Sequence, residues 1–194
     1  MFKNFRLKIG HSQLRKQLKA LKRDKRVHNF ESARKIGILL LLNSDNDFEQ
    51  ALGMMAYLTE KNLETTLLGL YPGKEIPHKY LMRKNIHIFN KKDVNWYGKP
   101  LLPYTNEFMG KEFDILIDLT VTETFPLKWI ASLSRAKFKV GCLSYYGNPN
   151  DLIINITSNN TIEFLIEQIK HYLYLINNRF AQEAESKKRK ATIG

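Results

Sequence analysis

Short, uninterrupted apolar runs alternate with stretches of helical periodicity through the middle of the chain. Residues 36–42 read IGILLLL, a run of strand length with no polar alternation. Such a run belongs to a strand covered on both faces, as in a parallel sheet. Phe48, Leu52, Met55, Ala56 and Leu58 then supply the inner face of a helix, with Asp45 or Asn46 placed to cap it. Residues 63–70 form the next strand, closed by the turn signal Tyr71-Pro72-Gly73. Residues 86–89 and 115–119 are further strands, and residues 90–103 between them read as a loop. Pro126 opens a helix over residues 127–134, at a position where proline is tolerated. Strands at 138–142 and 152–156 follow, then a long helix over 161–178 whose buried side carries Ile162, Leu165, Ile166, Ile169, Leu173 and Ile176. This alternation predicts an α/β fold: a mostly parallel, Rossmann-like sheet with flanking helices.

Outside that body the pattern changes. Leu14, Leu18 and Leu21 recur at i, i+4 and i+7 with no Gly or Pro between residues 12 and 25. They predict a helix over that stretch, capped by Ser12 after Gly10, with one narrow apolar stripe. Its remaining surface is basic: Arg15, Lys16, Lys19, Lys22, Arg23, Lys25 and Arg26. Residues 1–35 hold twelve Lys/Arg against two acids, a net of +10; residues 179–194 hold five against two, a net of +3. Residues 36–178 hold fourteen basic against fifteen acidic residues, a net of −1. The chain therefore divides into a basic helical extension (1–35), a nearly neutral α/β domain (36–178) and a basic tail (179–194) ending in Lys187, Lys188, Arg189 and Lys190. A net of +10 in 35 residues exceeds what solubility needs and points to a polyanionic partner.

Composition narrows the classes. A single cysteine, Cys142, excludes a disulfide framework and a multi-cysteine zinc site. The apolar run at 36–42 is too short for a membrane span and lacks a cleavage signal, so a cytoplasmic protein is expected. The basic N-terminus with Phe2, Phe5, Leu7 and Ile9 leaves a second reading open, a helix lying on an anionic membrane surface. Nucleic acid is favoured because the apolar stripe is narrow.

In a sheet of this kind ligands sit beyond the carboxyl ends of the strands. That edge collects Asp45 and Asp47 after the first strand and Asp118, Thr120, Thr122 and Glu123 after the fourth, then Ser144, Tyr145 and Tyr146. The first loop, NSDNDFE, has no glycine to bring backbone amides to a phosphate, and no Gly-x-Gly-x-x-Gly fingerprint occurs anywhere. Asp45, Asp47 and Asp118 together would suit a hard cation, but helix capping by the first two and an edge carboxylate for the third account for them more simply. No histidine pair has ligand spacing and Cys142 has no assignable base, so no metal, cofactor or catalytic residue is expected. Trp96 and Tyr97, beside Lys91, Lys92 and Lys99, are placed either to stack on unpaired bases or to close their loop onto the body.

The segments FDILIDLT, FPLKWIASLSRAKFKVG and IEQIKHYLYLI, with NKKDVNWYGKP, resemble a small bacterial family known as a domain of unknown function. The stretch FDILIDLT to AKFKVG is also distantly similar to the acceptor-side half of lipopolysaccharide heptosyltransferases. Those enzymes use a second domain for the sugar nucleotide, and here the acidic NSDNDFE stands where their glycine-containing loop is expected. The function expected from the charge layout is RNA binding without catalysis, with the basic ends on the rRNA phosphates of a ribosomal or assembly particle. A nucleotide- or sugar-binding enzyme using Asp45 and Asp118, and a peripheral membrane protein, are the alternatives.

Overall fold

The computed structural model describes residues 2–81, 83–143 and 147–176. Strands β1 (Lys35–Leu41), β2 (Glu64–Tyr71), β3 (Ile86–Asn90), β4 (Ile115–Asp118), β5 (Phe138–Gly141) and β6 (Leu152–Ile153) form one sheet, in the order β3-β2-β1-β4-β5-β6. Every pairing is parallel. The chain winds outward from β1 to β3 on one side and from β4 to β6 on the other, so the winding reverses between β1 and β4. The Rossmann-like α/β architecture expected from the apolar runs is what forms.

Alternation along each strand divides the core in two. Ile38 and Leu40 of β1 face α2 (Asp45–Glu60) and α5 (Ile162–Leu175), packing with Met54, Leu58, Leu165 and Ile169. Leu39 and Leu41 face the other layer, with Phe113, Trp129 and Ile130, beneath α3 (Pro103–Gly110) and α4 (Phe125–Leu133). Leu14 of α1 (Phe2–Ala20) belongs to this second core.

The N-terminal region departs from expectation. Its helix starts at Phe2 and stops at Ala20, so Ser12 lies inside it and residues 21–25 lie outside. The chain leaves the helix because residues 21–35 are tied to the body as a strap. The Arg26 amide donates to the Lys137 carbonyl at 3.1 Å. Phe30 and Ala33 enter the first core. The Arg34 and Lys35 amides donate to the Asp114 carboxylate at 2.8 and 3.0 Å, and Lys137 donates to it at 2.7 Å. Asn29 donates to the carbonyl of Ile176, the last described residue, at 2.8 Å.

Three local differences have simple causes. Ser44, not Asp45 or Asn46, caps α2: its Oγ accepts from the Asp47 amide at 3.2 Å while the Asp47 carboxylate accepts from the Ser44 amide at 2.9 Å. Helix α3, opened by Pro103 and buried through Thr105, Phe108 and Met109, forms just past the stretch read as a loop, where no element was expected. β6 ends after two residues because Ile154 and Ile156 turn into the core rather than continue the edge. No helix of the described residues is long and apolar enough to cross a membrane.

Candidate nucleic-acid interface

The body-facing line of α1 is Leu7, Gly10, His11 and Leu14, at i, i+3, i+4 and i+7. Gly10 and Leu14 are buried, whereas Leu18, expected on the inner stripe, is 38% exposed. Gly10 is what lets the helix approach. A Cβ there would stand 2.7 Å from the Phe125 ring and 2.8 Å from the Tyr97 carbonyl oxygen. His11 meets the same ring edge-on at 4.9 Å between centroids. Burial first, then the Lys128 charge, hold its pKa below the ordinary imidazole value.

With that line seated on α4, the opposite face of α1 is open to solvent. It carries Lys16 and Lys19, both exposed, with exposed Arg15 and Lys8 on the flank toward α4 and Lys22 just past the helix end. Among the described residues none of these five pairs with a carboxylate. Lys25, mostly exposed, lies 3.4 Å from Asp151, and Arg26 pairs with Asp24 at 3.0 Å. Lys187, Lys188, Arg189 and Lys190 fall outside the described residues.

Arg23 is different from its basic neighbours. Its side chain is only 8% exposed. Nη1 donates to Asp151 at 3.1 Å, Nη2 to Asp151 and to the Lys137 carbonyl, and Nε to the Ala136 carbonyl. Burial works against the Asp151 carboxylate, yet the Arg23 hydrogen bond and the Lys139 amide hold its carboxyl below the usual range. Expected on the phosphate-binding face, Arg23 instead fastens the strap to β5.

The aromatic loop lies beside α1. Asn95 Oδ1 accepts from the Tyr97 and Lys99 amides at 3.1 and 2.9 Å, and a bridge between Val94 and Pro100 closes the turn. Gly98 sits at φ +93°, a conformation that favours glycine. Tyr97 turns inward, its ring 6.1 Å from that of Trp129, and so closes the loop onto the body. Trp96 stays 55% exposed, and its carbonyl accepts from Arg6 of α1. One indole, and not two aromatic rings, is left free to stack, directly beside the basic helix.

The carboxyl edge of the sheet does not gather its acids. Asp45 accepts from Lys79 at 2.7 Å and from the Tyr80 hydroxyl, Asp47 is engaged in the cap of α2, and Asp118 accepts from the Thr120 amide at 3.0 Å and from its hydroxyl. Among the described residues no group of three or more His, Cys, Asp or Glu could hold a metal ion. Asp118 is fully buried, which pushes its carboxyl up to about 6. Cys142 donates to the Thr120 carbonyl at 3.3 Å, and burial followed by the Asp118 charge raises its thiol to about 12, so it is not an activated nucleophile. Ser144, Tyr145 and Tyr146 lie outside the described residues.

Several contributors were missed in the sequence. Arg6 and Lys8 join the surface, and Lys128 lies beneath it beside Glu123, because α1 begins at Phe2 and lies on α4; the signal was the spacing Leu7–Gly10–Leu14, with Gly10 as a contact rather than a break. Lys139, buried, donates to the Ala131 and Ser132 carbonyls in the last turn of α4 at 2.7 and 3.2 Å, and burial pushes it down to about 7. A basic residue inside an apolar strand was the only hint of it.

One family model, described as a family of unknown function (DUF6913), matches residues 6–176. No curated protein and no solved structure matches the chain, so the likeness to heptosyltransferases gains no support.

Proposed function

The chain belongs to that family of unknown function, and we propose that this member is a non-enzymatic RNA-binding protein acting on ribosomal particles. The observation that carries the reading is the docked α1. Its buried line fixes the helix on α4 and turns Lys16 and Lys19 outward, with Arg15 at the flank, without carboxylate partners among the described residues; the exposed ring of Trp96 belongs to the loop whose backbone meets Arg6 near the start of the same helix. Cations held on a rigid helix meet phosphates with little loss of conformational freedom, and an adjacent indole offers a face to any unpaired base. The near-neutral body leaves this face as the main electrostatic feature: residues 1–35 supply +10 of a net +12. The ribosomal particle is chosen by analogy, since long basic segments on small bodies are frequent in such particles.

Against a membrane role, Leu14 and the ring of His11 are seated on α4, and the exposed large apolar side chains among the described residues of α1, Phe5 and Leu18, lie on different sides of the helix and do not make one apolar face. Sedimentation of the native protein through sucrose gradients tests the proposal. Co-migration with ribosomal particles at low salt, lost at high salt, is expected. Co-sedimentation with anionic vesicles and not with ribosomal particles would refute it.

A further inference from the structure

Where α1 crosses the start of α4, the two helices and Gly147 border an open cleft of about 660 Å³. Lys8, His11 and Arg15 line it from α1; Glu123 and Lys128 line it from the β4–α4 connection and the first turn of α4, and Leu14 forms part of its wall. Lys128 has a side chain only 9% exposed and stands 3.0 Å from Glu123. Three cations against one carboxylate leave a surplus of two positive charges in a concave site. A charge of that size, gathered at the mouth of a partly apolar pocket, is matched by a dianion carrying an organic group.

We propose that this cleft binds a terminal phosphate, the phosphomonoester of a nucleotide or of an RNA 5′ end, with Arg15, Lys8 and Lys128 as its ligands. A diester in the middle of a strand brings one negative charge and leaves half the surplus unmatched; a monoester near neutral pH brings close to two. Arg15 offers two parallel N–H donors to the phosphate oxygens, and Lys8 and Lys128 act as point charges. Glu123 holds the Lys128 ammonium in place at 3.0 Å. His11 faces Lys128, Arg15 and Glu123 from its two helices and lies edge-on to Phe125. It is uncharged at neutral pH, and a bound dianion draws a proton onto it. The site is distinct from Lys16 and Lys19 of the outer face on which RNA binding rests; Arg15 and Lys8 border both.

The test uses the full chain, with adenosine 5′-monophosphate, inorganic phosphate and adenosine as probes and the His11 imidazole followed by NMR. Saturable shifts with the monophosphate and with inorganic phosphate, none with adenosine, and a rise in the His11 pKa on binding are expected. Arg15→Gln and Lys8→Gln should each weaken binding about tenfold. Lys128→Gln should do so as well, and Lys8→Gln, on an exposed residue, keeps the test valid if Lys128→Gln fails to fold. Lys16→Gln with Lys19→Gln should leave monophosphate binding within about twofold while weakening RNA. A 5′-phosphorylated dinucleotide binding more tightly than the free monophosphate assigns the site to RNA ends, and the reverse order assigns it to a free nucleotide. Absence of any saturable His11 shift at about 10 mM of either phosphate, or equal binding by all the variants, overturns the proposal and leaves the RNA reading standing. Monophosphate binding without RNA binding overturns the RNA reading alone.

Discussion

Gly10 of α1 lies against Phe125 of α4 so closely that a Cβ at residue 10 would stand 2.7 Å from the ring. Glycine within a helix costs about 1 kcal/mol relative to alanine, so Gly10→Ala would stabilise a free helix. In this protein it should do the opposite. The ring can swing, but the Tyr97 carbonyl, 2.8 Å from the same point, is backbone and cannot. Gly10→Ala should lower stability by about 1–3 kcal/mol in urea denaturation, the range for overpacking. A variant as stable as the parent would show that α1 does not seat on α4.

The strap makes a second prediction, in which neighbouring basic residues separate by role. Arg23→Gln leaves the Asp151 carboxylate half-buried without its bidentate partner, and Asp151→Asn leaves the guanidinium likewise. Each should cost about 3 kcal/mol, and the double variant should cost less than the two together. Lys16→Gln, on the exposed face, should change stability by less than about 0.5 kcal/mol. Equal, small effects at Arg23 and Lys16 would mean the strap is not fastened by this pair.

Asp118 supplies a pH dependence. Its carboxyl is raised to about 6 by burial, above the value in an unfolded chain. Between pH 4 and 6 the unfolded state has lost this proton and the folded state keeps it. Its contribution to stability is therefore complete at the acid end and is lost as pH rises to about 6. Asp118→Asn keeps an oxygen to accept from Thr120 and removes the buried charge. It should flatten that pH slope and raise stability at pH 7 by up to about 3 kcal/mol, read from thermal unfolding. RNA binding should be unchanged. Loss of function with folding intact would instead assign Asp118 to a reaction.

The sheet was legible because buried parallel strands leave continuous apolar runs: residues 36–42 and 115–119 carry their assignment almost alone. Periodicity located α2 and α5 for the same reason. The interface was legible only in composition. Twelve Lys/Arg in the first 35 residues announce a cationic region but not which of them are free. Arg23 and Lys16 look alike in sequence; only the fold brings Asp151 to one and, among the described residues, no carboxylate to the other. The helix was misplaced because Leu14, Leu18 and Leu21 offered a stripe, whereas the contact line uses Gly10, whose role lies in the side chain it lacks. Tyr97 and Trp96 are adjacent and chemically similar, and the turn held by Asn95 sends one inward and one out.

The central claim is that the outer face of α1 binds RNA phosphates, and the salt dependence of RNA affinity tests it most directly. Lys16→Gln and Lys19→Gln preserve helix propensity and spare the seat of α1, and Lys22→Gln replaces an exposed side chain of the strap. Plotted as log affinity against log salt, the slope of the parent protein should become shallower by about 2 in the triple variant, close to 0.7 for each single-strand phosphate that is no longer neutralised. An unchanged slope and affinity in a folded triple variant would contradict the account and move RNA recognition off α1.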